Sequence, residues 1–272
     1  MSVLSRLLSH PLTRGLSIDD PRTTALRRRI VSEKPFLNKI YREWYASIAT
    51  ALPPAPGRVL ELGSGPGFMK DFIPDLITSE IFPSPGVDLV LDGHHLPFAN
   101  AALRAIVMVD VLHHLPRPRE FLTEAARCIR TDGAIMMIEP WASPWSGWVY
   151  RRFHHEPFDT KSPQWEFPAA GPLSGANMAM PWVIFQRDRK KFEREFPQWR
   201  IAEIRPMMPF RYLLSGGVSL RSLMPGFTFG FWRAIETLLN PWRNNLAMFT
   251  QIHLTRQAVV PTQSSVLSPR LS

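Results

Sequence analysis

Between residues 36 and 48 the apolar positions are Phe36, Leu37, Ile40, Tyr41, Trp44, Tyr45 and Ile48, the broad stripe of a helix with one buried face. That helix is expected to start near Pro35, after an earlier one opened by Asp20 and Pro21. The breaker-rich "LPPAPG" at 52–57 ends it. From Arg58 the pattern changes. Short apolar runs at Val59–Leu62, Leu76–Ile81, Val87–Leu91, Ala105–Leu112 and Ala134–Ile138 read as strands, and Pro118–Ile129 reads as a helix. Phe68–Ile73 is helical but brief, because Pro74 lacks an amide hydrogen. "RTDG" at 130–133 reads as a turn. This alternation predicts an α/β fold: an open, mostly parallel, Rossmann-like sheet with helices on both faces.

After Glu139 the regular pattern stops. Residues 140–182 are rich in Trp, Pro and Gly and read as a lid. Arg187–Phe196 looks helical, and Arg200–Arg205 reads as a sixth strand. Residues 207–245 form a second apolar insertion, with a helix around Phe229–Leu239. Residues 246–254 alternate, with Leu246, Met248, Ile252 and Leu254 facing one way, as a last strand should. The expected organisation is an N-terminal helical collar at 1–54, one catalytic domain at 55–256 with the two insertions, and a disordered tail at 257–272.

Composition narrows this further. The 272 residues are 45% hydrophobic and 20% charged, globular values. A single cysteine, Cys128, forbids an intrachain disulfide and argues against a cysteine-based metal site; it suits a reducing cytosol, so a cytoplasmic location and no metal are expected. The net charge of +9 would favour nucleic acid or anionic lipid, but the excess is largely arginine spread along the chain, with "LRRRI" at 26–30 the densest run. Nucleic acid is therefore not expected as a partner. The start, "MSVLSRLLSHPLTRGL", could be an amphipathic helix touching a membrane, although packing onto the domain is the favoured reading.

Candidate chemistry centres on "VLELGSGPGF" at 59–68, an apolar strand running into glycines at 63, 65 and 67. Such loops sit at the carboxyl edge of an open sheet, where ligands bind. A pyrophosphate there would be repelled by Glu61, whereas S-adenosylmethionine, with an ammonium and a sulfonium, would be attracted. Glu80, ending the second strand, suits ribose hydroxyls, a feature equally suited to NAD. Asp92, ending the third, could accept the adenine amino group. Ser79 and Asp88 are alternatives to Glu80.

The motifs "VLELGSGPGF", "VDLVLDGHHLPF", "AIVMVDVLHHLPRP" and "GAIMMIEP", in this order, resemble those of class I S-adenosylmethionine-dependent methyltransferases of the small-molecule (type 11) kind over roughly residues 55–140. The resemblance implies that Glu61, Gly63, Ser64, Gly65 and Gly67 hold the methionine part. It implies Glu80 for the ribose, Asp92, Gly93 and His94 for the adenine, and Asp110, Val111 and Leu112 as further lining. It also implies a seven-stranded sheet whose last strand is antiparallel.

Methyl transfer from a sulfonium mainly needs alignment of the acceptor, with a general base where the acceptor is a hydroxyl. His113 and His114, just after the fourth strand, are the catalytic candidates; His154, His155 and Glu156 could join them if the first insertion folds over, and Glu139 ends the fifth strand nearby. No Asn/Asp-Pro-Pro-aromatic stretch follows the fourth strand, which speaks against base methylation. The tryptophans suggest a small hydrophobic or aromatic acceptor. The alternatives are an NAD-dependent oxidoreductase and a non-catalytic S-adenosylmethionine-binding protein.

Overall fold

The computed structural model describes residues 19–65, 67–154, 156–168, 171, 173 and 175–258. The expected amphipathic start at 1–16, most of the expected disordered tail and His155 lie outside the described residues.

Two helices open the fold, α1 (Arg22–Glu33) and α2 (Pro35–Ala51). The start of α1 lies one residue later than expected: Pro21 is the N-cap and Arg22 the first helical residue, with the Asp20 carboxylate just before the helix accepting the Arg22 N–H at 2.9 Å. The strands are β1 (Arg58–Leu62), β2 (Leu76–Glu80), β3 (Leu89–Val90), β4 (Leu103–Val109), β5 (Ile129–Pro140), β6 (Trp199–Met207) and β7 (Phe249–Arg256). They form one seven-stranded sheet in the order β3-β2-β1-β4-β5-β7-β6. β7 runs antiparallel to both β5 and β6, and β1 to β5 are mutually parallel. The Rossmann-like sheet expected from the sequence is therefore present.

Both faces of the sheet are covered, and the period of two decides which residue goes where. On β4, Ile106 and Met108 face α3 (Pro118–Cys128), packing with Phe121, Leu122 and Ala125. Ala105 and Val107 face the other way, against the α2 stripe of Phe36, Leu37, Ile40, Trp44 and Ile48. The N-terminal helices are thus one outer layer of the core.

Several local expectations are corrected. Asp88 takes the Thr78 N–H and hydroxyl, each at 2.8 Å, so side-chain bonds replace ladder bonds and β3 shrinks to two residues. "RTDG" lies inside β5 as an irregularity, with Asp132 at φ 64°, rather than ending before a strand. Leu246 belongs to a helical turn, Arg243–Leu246, so the last strand starts at Phe249. The expected irregular stretch 140–182 holds α4 (Pro144–Phe153), started by a reciprocal Ser143–Ser146 capping box with Pro144 at the first turn. Further on are α5 (Arg189–Glu195) and α6 (Phe229–Leu238). No helix among the described residues is long and apolar enough to cross a membrane.

Candidate active site

At the carboxyl edge of the sheet β1 runs into the glycine loop, with Gly63, Gly65 and Gly67 at φ 70°, 37° and 75°. Ser64 locks the loop to β2: its N–H donates to the Ser79 carbonyl (2.9 Å) and its hydroxyl oxygen accepts the Ser79 N–H (3.1 Å). Glu80, at the end of β2, accepts the Gly65 N–H at 2.6 Å. A Cβ on Gly65 would meet only its own loop, the Gly63 carbonyl at 3.9 Å, so a ligand can approach this backbone closely. Gly67 is the opposite case. A Cβ there would collide with the Arg28 guanidinium of α1, which donates to the Pro85 carbonyl at 2.9 Å.

Glu61 is 2% exposed, and its Oε2 has no hydrogen-bond partner. Burial pushes its carboxyl up to about 8, against the pull of a Ser64 hydrogen bond. A buried acid with an idle oxygen beside an open glycine backbone is complementary to a cationic ligand. Glu80 is raised too, by burial, with the Gly65 N–H opposing.

On the far side of the loop, Asp92 accepts the His94 N–H (2.9 Å) and contacts its Nδ1 (2.5 Å). His94 is 5% exposed, and its Nε2 is buried without a partner. Gly93 lies against Leu62 and Leu115, which joins this corner to β1. Asp88, an alternative to Glu80, is held by Lys70 and Thr78 instead, and the Ser79 hydroxyl donates to the Glu61 carbonyl.

The next part of this edge follows β4. Asp110 has φ 63°, a left-handed backbone that Asp tolerates better than most residues. Val111 packs on Gly63, and Leu112 is fully buried. Glu139, at the end of β5 and fully buried, organises this turn. One oxygen accepts the Val111 and Leu112 N–H groups, at 2.9 and 2.7 Å, and the other meets His113 Nδ1 at 2.8 Å. His113 Nε2 then faces Glu156 at 3.5 Å and Asp110 at 3.9 Å. His114 Nε2 lies 3.9 Å from the other Glu156 oxygen, and the two imidazole centroids are 4.2 Å apart with their planes tilted by 39°.

The first insertion therefore does fold over. Glu156 reaches the histidines, and the Asn177 N–H donates to the His113 carbonyl at 3.0 Å. His154 is exposed, and its Nδ1 accepts the Glu156 backbone N–H at 3.2 Å, so it meets the cluster from the solvent side. Trp141 and Trp165 are not pocket walls: they are 4% and 0% exposed and belong to the core. The aromatic residues near the site are tyrosines. Tyr41 and Tyr150 are buried and Tyr212 partly buried within reach of the Asp110 charge, three of the four tyrosines in the chain.

Burial disfavours charge on His113, but hydrogen bonds to Glu139 and Glu156 and the field of Asp110 outweigh it and hold the imidazole well above 6.5. His114 goes the other way, to about 3, through burial and then His113. Burial raises Asp110 to about 6, although its side chain keeps 34% of its surface. Glu156 is held below the ordinary carboxylate range: burial pushes it up, and the neighbouring histidines more than offset that. The donor atoms of His113, His114 and Glu156 lie within 4.8 Å of one another, a grouping able to hold a metal ion. In the structure His113 pairs with Glu156, while the neutral His114 ring lies tilted by 39° against the His113 ring.

Glu139 and Arg28 are residues at this edge that local sequence reading undervalued. Glu139 showed only as a strand-ending acid, and Arg28 as part of a basic run. The common signal was a charge placed where the fold buries or covers it.

The methyltransferase domain pattern matches residues 36–210, more than half of the chain and the segments that carry Glu61 through Glu156. The chain belongs to the methyltransferase domain family. It is a methyltransferase of class I architecture, and its cofactor is S-adenosylmethionine, not the dinucleotide of the alternative reading. Among solved structures, the fold is similar to a methyltransferase in complex with the Trm112 activator of Haloferax volcanii, at 12% identity, 87% of this chain, 100% of that one and a TM-score of 0.52. It is similar also to a geranyl diphosphate methyltransferase in complex with S-adenosylmethionine, at 13% identity, 88% of this chain, 92% of that one and a TM-score of 0.50. A comparison with curated proteins finds no match.

Proposed function

We propose that this methyltransferase acts on a small hydrophobic or aromatic organic acceptor, bound between the glycine loop and His113. The observation that supports this most is His113 itself, an imidazole held among Glu139, Glu156 and Asp110, with the buried Tyr41 and Tyr150 near Asp110. A peptide or nucleic-acid acceptor would call for an open, charged groove instead.

When bound, S-adenosylmethionine supplies an electrophilic methyl group on a good leaving group. Glu61, Gly63, Ser64, Gly65 and Gly67 hold its methionine part, with Arg28 over the loop as the cation suited to its carboxylate. Glu80 takes the ribose, and Asp92, Gly93 and His94 take the adenine. Val111 and Leu112 form the wall between cofactor and acceptor.

Asp110 and His113 share one proton-handling role. They are 3.9 Å apart and titrate as a coupled pair. At neutral pH the imidazole is protonated and Asp110 is ionised, so Asp110 is the group ready to take a hydroxyl proton. His113 stabilises the charge that develops, and Glu139 fixes its ring. His114, held neutral, backs the His113 ring. The lid carboxylate of Glu156 closes the site and completes the cluster.

The test is methyl transfer from isotopically labelled S-adenosylmethionine to a panel of hydroxylated aromatic and aliphatic molecules, with peptides and RNA alongside. Label on the small hydrophobic members, with a rate that falls as pH drops below about 6, is the expected result. Label confined to peptide or RNA would overturn the reading.

A further inference from the structure

The insertion between β6 and β7 leaves an apolar face uncovered. α6 turns Phe229 and Glu236 inward, at 8% and 7% exposure. Phe229 packs edge-on against Phe36 at 5.3 Å, and Glu236 pairs with Arg211 at 2.5 Å. Those contacts fix the rotation of the helix, so its opposite side must face solvent. That side carries Phe231 and Leu238, 64% and 75% exposed, and is continued by Phe227 at 86% and Trp242 at 55% in the flanking turns. Their spacing of four, seven and four residues follows one helical stripe. A helix that buries one face in a domain ordinarily presents charge on the other; this one presents large apolar side chains there.

The patch is concentrated rather than scattered. Eight large hydrophobic side chains are exposed among the described residues, and five of them, Leu223 included, fall between 223 and 242. Single exposed apolar residues are ordinary, whereas a contiguous group marks an interaction surface.

Charge indicates what it meets. Residues 217–246 hold three arginines, Arg221, Arg233 and Arg243, and one acid, the buried Glu236. Arg221 and Arg243 are exposed. Arg233 keeps 65% of its side-chain surface and has only a 3.5 Å contact to Glu43. The chain as a whole is +9. Protruding Phe, Leu and Trp side chains with arginines among them match the interface of an anionic membrane, where apolar side chains enter the headgroup layer and guanidinium groups meet phosphates.

We propose that residues 223–242 dock this enzyme peripherally on an anionic lipid bilayer. Phe227, Phe231, Leu238 and Trp242 insert, and Arg221, Arg233 and Arg243 provide the attraction. The surface lies apart from the favoured reading of the N-terminal segment, and the inference requires neither the cofactor assignment nor the acceptor class. Its consequence for function is proximity. Arg211 pairs with Glu236, and the next residue, Tyr212, stacks on Trp44 at 5.8 Å and feels the Asp110 charge, so a docked α6 brings the acceptor site close to the lipid.

Sedimentation of the full chain with phosphatidylcholine vesicles, alone or mixed with phosphatidylglycerol, tests it. Binding should be strong on the mixed vesicles, weak on the neutral ones, and reduced by salt. Joint Phe227→Ser, Phe231→Ser and Leu238→Ser substitution should weaken binding about tenfold or more, with circular dichroism and S-adenosylmethionine affinity unchanged. Arg221→Gln with Arg243→Gln, which touches no packed residue, should weaken binding to the mixed vesicles alone and guards against a folding defect in the triple variant. No binding of the wild type to mixed vesicles, equal binding to both kinds, or no effect of either variant would overturn the proposal. So would light scattering that shows a dimer abolished by the triple variant with no vesicle binding, since a second copy would then be the occupant.

Discussion

The cofactor side and the acceptor side of this cleft handle charge in opposite ways. Glu61 and His94 each keep a buried polar atom without a protein partner. Across Val111 and Leu112, the Asp110, His113, Glu139 and Glu156 side chains pair among themselves. The first arrangement is unfinished until a ligand arrives. The second is paired except at His114, whose Nδ1 is buried without a hydrogen-bond partner. Under the proposed function, the first half serves affinity and the second orientation.

Removing Glu139 should break this contrast most completely. Glu139→Leu leaves two backbone N–H groups and the His113 imidazole buried without their acceptor. Loss of a partner from a buried pair costs about 3–5 kcal/mol, so a large drop in the midpoint of chemical denaturation is expected, together with loss of activity. A midpoint near wild type would show that Glu139 is not the anchor.

His113→Asn should separate the halves more finely. Methyl transfer is expected to fall by roughly 10²–10⁴-fold, while calorimetry with S-adenosylmethionine reports an affinity within about threefold of wild type, since no assigned cofactor contact is lost. An equal fall in affinity would place His113 on the cofactor side.

Glu61→Gln should do the reverse, weakening S-adenosylmethionine by about tenfold, the loss of a charge-assisted contact, with a smaller effect on stability. The pH dependence gives its sign. The Glu61 carboxyl rises on folding from 4.5 to about 8, so the folded protein holds a proton that the unfolded chain releases. Its stabilisation is complete below 4.5 and is lost as pH climbs through about 8. The ligand-free melting temperature should therefore decline across this interval, and decline less in the Gln variant. A cationic ligand favours the ionised carboxylate, so binding at pH 7 should release a proton, which calorimetry in buffers of different ionisation enthalpy can count.

The smallest effect sharpens the acceptor side. Activity should survive treatment with a strong chelator unchanged, because the proposed proton handling by His113 and Asp110 uses no metal. Loss of activity restored by a divalent ion would reassign His113, His114 and Glu156 as its ligands.

The same contrast explains what could be read from the sequence. Glu61, the glycines, Glu80 and Asp92 lie at strand ends or in the turn after one, so local pattern is enough to place them. The sheet was legible for the same reason, apart from β3, where an Asp88–Thr78 side-chain pair displaces ladder bonds. The acceptor side draws Glu156 from an insertion and Glu139 from 26 residues beyond His113. No local periodicity encodes those meetings. α4 was hidden because Trp, Pro and Gly around it read as irregular, although its Ser-Pro start is an ordinary capping signal.

Glu139 also ties the two ligands to one another. Its one oxygen steadies the backbone of Val111, which leans on Gly63, and its other steadies the ring beside the incoming substrate. Any shift of that carboxylate is felt in both compartments at once. Filling either compartment should then alter the affinity of the other, and by the same factor in both directions.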